Sequence, residues 1–141
     1  MNYLHRELED QVAGAARRFP AVVLTGPRRA GKTMLLRRLF PKASYFLLED
    51  PDVVARLRAD PHGFLDAVKT PAILDEVQNV PEVFAFVRSR IDRQPRRTGQ
   101  WLLTGSQEAP LMHGVTESMA GRAAILQLLP LSTRETSKVT L

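Results

Sequence analysis

The stretch GPRRAGKT, residues 26 to 33, narrows the folds open to this chain more than any other feature. It follows AVVLTG (21 to 26), a short apolar run rich in β-branched residues that reads as a strand buried on both faces. It precedes a segment with Leu35, Leu36, Leu39 and Phe40 on one side and Arg37 and Arg38 on the other, a helix closed by Pro41. The pattern GxxxxGK(S/T) between a strand and a helix is the P-loop arrangement. Its glycines let backbone N–H groups converge on phosphate oxygens, and the helix N-terminus adds a favourable dipole. Lys32 would neutralise the β- and γ-phosphates, and Thr33 would give its hydroxyl to Mg²⁺. The expected cradle comprises Gly26, Pro27, Arg28, Arg29, Ala30, Gly31, Lys32, Thr33 and Met34.

The rest of the chain alternates helical and strand periods. Leu4, Leu8 and Val12 recur four apart and predict a helix over 3–18. SYFLLE (44 to 49) reads as a second strand, PAILDE (71 to 76) as a third, QWLLTG (100 to 105) as a fourth and AAILQLL (123 to 129) as a fifth. Asp50-Pro51 and Asp60-Pro61 each look like an N-cap followed by proline at the first helical position. Pro81 opens a helix with Phe84, Val87 and Ile91 on one face, and RQPRRTG (93 to 99) is a basic loop. Short helical pieces are expected around 107–120. This alternation predicts an α/β fold with a mostly parallel sheet, whose ligands bind at the edge where the strands end.

Two carboxylates arrive at that edge. In AILDEVQ the third strand ends in Asp75 and Glu76. Successive residues at a strand end point different ways, so Asp75 can hold a Mg²⁺ shell while Glu76 faces an attacking water as general base. Taken alone, such a pair is equally a surface charge or a helix cap. In LLTGSQ, Ser106 stands just past an apolar run and would approach the γ-phosphate if the fourth strand lies between the first and third; the alternative is an N-cap hydroxyl. Arg122, in SMAGRAAILQL, is a lone cation that could stabilise phosphate charge within its own chain or in a neighbour, or could form a structural ion pair.

The 141 residues allow one domain burying about two-thirds of its unfolded surface. Cysteine is absent, which excludes disulfides and thiolate metal sites and suits a reducing cytoplasm. No apolar run nears the ~18 residues a membrane span requires, so a soluble cytoplasmic protein without a membrane partner is expected. A formal charge of +5 comes as scattered pairs such as Arg17-Arg18 and Arg96-Arg97, which leaves solvated surface charge and a nucleic-acid face both open. The only asparagines, Asn2 and Asn79, supply no guanine-reading NKxD element. His5, His62 and His113 are isolated, and TGSQE is not a GxSxG elbow, which argues against protein-bound metal and nucleophilic hydrolysis.

Taken in order, VVLTGPRRAGKT, ILDEVQNVPEVF, WLLTGSQ and SMAGRAAILQLLPLSTRE resemble the AAA+ superfamily P-loop ATPases of prokaryotes whose ATPase domain precedes a C-terminal domain of uncharacterised function. The resemblance covers about residues 17 to 135. It implies a three-layer P-loop NTPase fold with a five-stranded sheet in the order 5-1-4-3-2, and ATP with Mg²⁺ as ligands. Gly31, Lys32 and Thr33 would belong to Walker A, Asp75 and Glu76 to Walker B, and Ser106 to the sensor-1 position. The expected organisation is an N-terminal helix and lead-in over 1–20, the ATPase core over 21–130 and a truncated tail over 131–141 without lid or further domain. Hydrolysis of ATP to ADP and phosphate is the expected activity, and homo-oligomeric rings are common in the superfamily. The competing expectation is a non-hydrolysing, nucleotide-bound module that holds DNA or a protein partner on its basic surface.

Overall fold

Proline at a first helical position and aspartate before it start two helices in the way the sequence predicts. Asp50 accepts from the Asp52 N–H at 2.9 Å, and Asp60 from the Gly63 N–H at 3.1 Å. The computed structural model describes residues 3–27, 31–107 and 109–128. In chain order these form α1 (Tyr3–Arg18), β1 (Ala21–Thr25), α2 (Lys32–Leu39), β2 (Ser44–Leu47), α3 (Pro51–Ala59) and α4 (Pro61–Ala67). There follow β3 (Ala72–Asp75), a 3-10 turn (Val77–Asn79), α5 (Val83–Arg93), β4 (Trp101–Gly105), α6 (Ala109–Met119) and β5 (Ala123–Gln127).

The five strands form one sheet in the order β2-β3-β4-β1-β5, every pairing parallel. This is the 5-1-4-3-2 order, an α/β P-loop NTPase fold, with β4 inserted between β1 and β3. Burial follows position: β1, β3 and β4 are buried throughout, whereas the edge strands β2 and β5 are mostly half-buried. Alternation along the strands supplies two apolar faces. Val22, Leu24, Ile73, Leu102 and Leu126 pack with Leu8 and Val12 of α1 and Leu35 and Leu36 of α2. Val23, Leu74 and Leu103 pack on the other face with Leu57, Leu65, Phe84, Val87, Leu111 and Val115 from α3 to α6. Each such buried side chain contributes roughly 1.5–3 kcal/mol, so the faces fix which way the strand ends point.

Two expectations change in detail. Where short helical pieces were expected over 107–120, α6 is one helix of 11 residues, because Leu111, Val115 and Met119 recur four apart and bury against the core. Arg122 precedes β5, so the parallel sheet carries it to the edge where the strands begin, opposite the loop after β1. The proposed boundary at 130 and the tail over 131–141 lie outside the described residues.

Candidate functional site

β1 delivers the chain to Gly26, whose backbone is pinned between neighbours. Its N–H donates to Gly105 O at 3.1 Å, and a Cβ there would lie 2.3 Å from Leu128 O. Only glycine passes this point without moving backbone, and its φ of 152° adds to that requirement. Gly31, with φ 92°, is the N-cap of α2 and makes no side-chain cap bond. The first turn of α2 carries no acidic residue, so its backbone donors and dipole face the loop without a carboxylate of their own. Lys32 is 3% exposed, and its Nζ donates to Gly26 O and Pro27 O, both at 2.8 Å. Arg28, Arg29 and Ala30 lie outside the described residues.

The loop meets the end of β3 through hydroxyls. Thr33 Oγ1 donates to Asp75 Oδ1 at 2.9 Å, joining the first turn of α2 to the strand. Asp75 is 4% exposed and takes two further donors: Thr104 Oγ1 at 2.5 Å on Oδ1, and Tyr45 OH at 2.5 Å on Oδ2. Burial first, then the bond to Asp75, pushes the Tyr45 phenol well above its ordinary value, so it remains a protonated donor. The Arg37 guanidinium lies 4.3 Å from the centre of the Tyr45 ring, a cation–π contact from α2.

Glu76 follows in the left-handed region, with φ 62° and ψ 53°. That conformation is uncommon for a side-chain-bearing residue and stops the strand abruptly. Its N–H donates to Thr104 Oγ1 at 3.0 Å, and its carbonyl accepts from the Asn79 N–H and Nδ2 at 3.2 and 3.1 Å. Gln78 Nε2 donates to Glu76 Oε1 at 2.5 Å, while Gln78 Oε1 accepts from the Ser106 N–H at 3.2 Å. The Ser106 hydroxyl is buried and has no hydrogen-bond partner among the described residues. Gly31, Lys32, Thr33, Met34 and Glu76 line a cleft of about 340 Å³, and Met34 at its mouth is 70% exposed.

The structure therefore brings together Gly26, Gly31, Lys32, Thr33, Asp75 and Glu76 at one sheet edge, with Ser106 joined to them through Gln78. It does not bring Arg122 there. Five residues of β5 at about 3.3 Å each separate it from that edge. Its Nε and Nη2 bind the two Asp92 oxygens at 2.7 and 3.1 Å, which holds the Asp92 carboxyl below its ordinary range. Sequence reasoning missed Tyr45, Gln78 and Thr104. A signal existed for Thr104, a hydroxyl in an otherwise apolar strand two residues before Ser106.

Among the described residues no helix is long and apolar enough to cross a membrane. The described residues also hold no cluster of three or more His, Cys, Asp or Glu side chains fit for a metal ion. A hydroxyl and a carboxylate beside a phosphate cradle are nonetheless hard oxygen donors, which suit Mg²⁺ brought in with a polyphosphate. The family model for the AAA domain matches residues 18–137. An uncharacterized protein of Mycobacterium tuberculosis and one of Mycobacterium bovis are each 36% identical over 132 residues, 92% of this chain. The chain spans 30% of the length of each of these relatives. With a P-loop between β1 and α2 and a matching family model over most of its length, the chain belongs to the AAA domain family of nucleotide-binding P-loop proteins.

Proposed function

We propose that the chain binds ATP with Mg²⁺ and hydrolyses it to ADP and phosphate at the edge formed by the loop after β1 and the ends of β3 and β4. The observation that carries this reading is the bond from Thr33 to Asp75 beside a lysine buried in the glycine loop. It joins the glycine loop to the carboxylate strand beside the cleft lined by Thr33 and Glu76. The backbone of the loop and Lys32 bind the triphosphate. Thr33 and Asp75 would hold Mg²⁺, which when bound neutralises phosphate charge. Glu76 takes the proton of the attacking water as the oxygen bonds to the γ-phosphorus and the bond to the ADP oxygen breaks. Ser106 orients the γ-phosphate, and Met34 offers an exposed apolar side chain to the nucleotide from the lining of the cleft.

Phosphate release by the purified chain, with Lys32→Ala as the blank, tests the reading. Glu76→Gln should keep nucleotide affinity and slow turnover by about 10²- to 10⁴-fold; unchanged turnover would remove Glu76 from its role. Arg122 would act only on a neighbouring subunit's nucleotide, given its place at the opposite edge. A turnover per subunit that rises with protein concentration, and loses that rise in Arg122→Ala, is the expected sign.

A second reading draws on Arg88, midway along α5, and Arg96 and Arg97 in the loop after it, all exposed. A non-hydrolysing module would hold DNA there, with a steep salt dependence that Lys32→Ala leaves unchanged.

A further inference from the structure

We propose that Tyr45 and Thr104 are positioning residues that hold Asp75 for a divalent cation carried with the nucleotide, an inference that rests on the nucleotide reading above. Asp75 ends β3, and the strands on either side of β3 are β2 and β4. Tyr45 comes from β2 and Thr104 from β4, so the carboxylate is gripped from both flanks, one oxygen by each strand. Thr33 closes over it from α2. A carboxylate offers about four lone-pair sites, and these hydroxyls take three of them.

Each support is itself fixed. Thr33 and Arg37 lie four residues apart and so share one face of α2. That face presents a hydroxyl to Asp75 and a guanidinium to the Tyr45 ring. Thr104 is fully buried, and its oxygen also accepts the N–H of Glu76, so one hydroxyl sets both the metal-side carboxylate and the backbone of the proposed base. Thr33 is the member of the set expected to turn to the cation, which leaves Tyr45 and Thr104 to keep Asp75 in place when it does. Partners of this kind, which orient a ligating carboxylate without touching the metal, typically alter metal affinity about 10- to 100-fold when removed.

The test measures ADP affinity of the full chain in Mg²⁺ and in EDTA for wild type, Tyr45→Phe, Thr104→Val and Thr104→Ser. Tyr45→Phe keeps the ring under Arg37, and Thr104→Val keeps the branched shape in the buried strand. Both should bind ADP in EDTA within about twofold of wild type while losing roughly 10-fold or more of the gain that Mg²⁺ brings. Thr104→Ser, which restores the hydroxyl, should retain that gain. An equal loss in both buffers would make the hydroxyls supports of the fold alone and overturn the proposal, as would a full Mg²⁺ gain in both variants. A wild type that binds ADP with no Mg²⁺ gain would also overturn it, leaving nucleotide binding intact. A wild type that binds no nucleotide in either buffer would overturn the underlying reading as well.

Discussion

The left-handed backbone at Glu76 has a measurable cost, and comparing two substitutions isolates it. Glu76→Ala and Glu76→Gly both remove the carboxylate and its contact with Gln78, so that loss cancels between them. They differ in the Cβ, which in the left-handed region costs roughly 1–2 kcal/mol. Against this, glycine is disfavoured by about 0.5–1 kcal/mol because its unfolded chain is more flexible. The balance at φ 62° and ψ 53° is about 1 kcal/mol in favour of Glu76→Gly. For a chain of this length that corresponds to a melting temperature about 3 °C above that of Glu76→Ala. Thermal unfolding of the two variants side by side reads the difference, and both should turn over ATP as slowly as Glu76→Gln. An alanine variant clearly more stable than the glycine variant would refute the left-handed conformation as the native one. The native protein offsets the strain locally: the Glu76 N–H goes to Thr104, its carbonyl takes two donors from Asn79, and Val77 and Val80 are fully buried in the turn that follows.

Two further outcomes follow from the same edge of the sheet. Gly26→Ala would drive a Cβ to 2.3 Å from Leu128 O, a backbone atom held in place by the Leu128 N–H to Thr25 O bond of 2.7 Å. It should cost about 2 kcal/mol or more, whereas among the described residues Gly31→Ala meets no atom within 4 Å, so its positive φ is the main cost. Melting curves in which Gly31→Ala is the more damaging would contradict this. Gln78→Ala removes a hydrogen bond to a charged carboxylate, worth roughly 1.5–3 kcal/mol if it orients Glu76 for proton transfer, or about 10- to 100-fold in turnover. ATP affinity should stay near wild type; a matching fall in affinity would mean that Gln78 supports the cleft and not the proposed base.

The outline of the fold was legible because its signals are local. A strand, a glycine loop and an amphipathic helix follow one another within 21–39, and the proline-capped helices announce themselves in single dipeptides. Strand order is not local. Nothing in the spacing of QWLLTG says that it lies between the first and third strands, and that insertion came only with the resemblance to AAA+ proteins. Arg122 shows the reverse case: its place just before a parallel strand already implied the edge opposite the loop, a geometric consequence that motif reading alone passed over.

Tyr45 and Thr104 stayed hidden for two reasons, of which the second is chemical. Each meets Asp75 across a strand boundary, and the β3–β4 register, Ile73 opposite Leu102 and Leu74 opposite Leu103, is needed before Asp75 comes level with Thr104. More generally, a search for functional side chains favours charges, and the supports here are neutral. A carboxylate that is 4% exposed must have hydrogen-bond donors or pay heavily for its desolvation. Arginine or lysine in the places of Tyr45 and Thr104 would meet that need too, but would cancel the negative charge that draws a cation. Hydroxyls satisfy the lone pairs and leave the charge in place. On this argument Tyr45→Phe should weaken the proposed hold on Mg²⁺ by loosening Asp75, whereas a cationic replacement at Thr104 would weaken it by competing for the same charge.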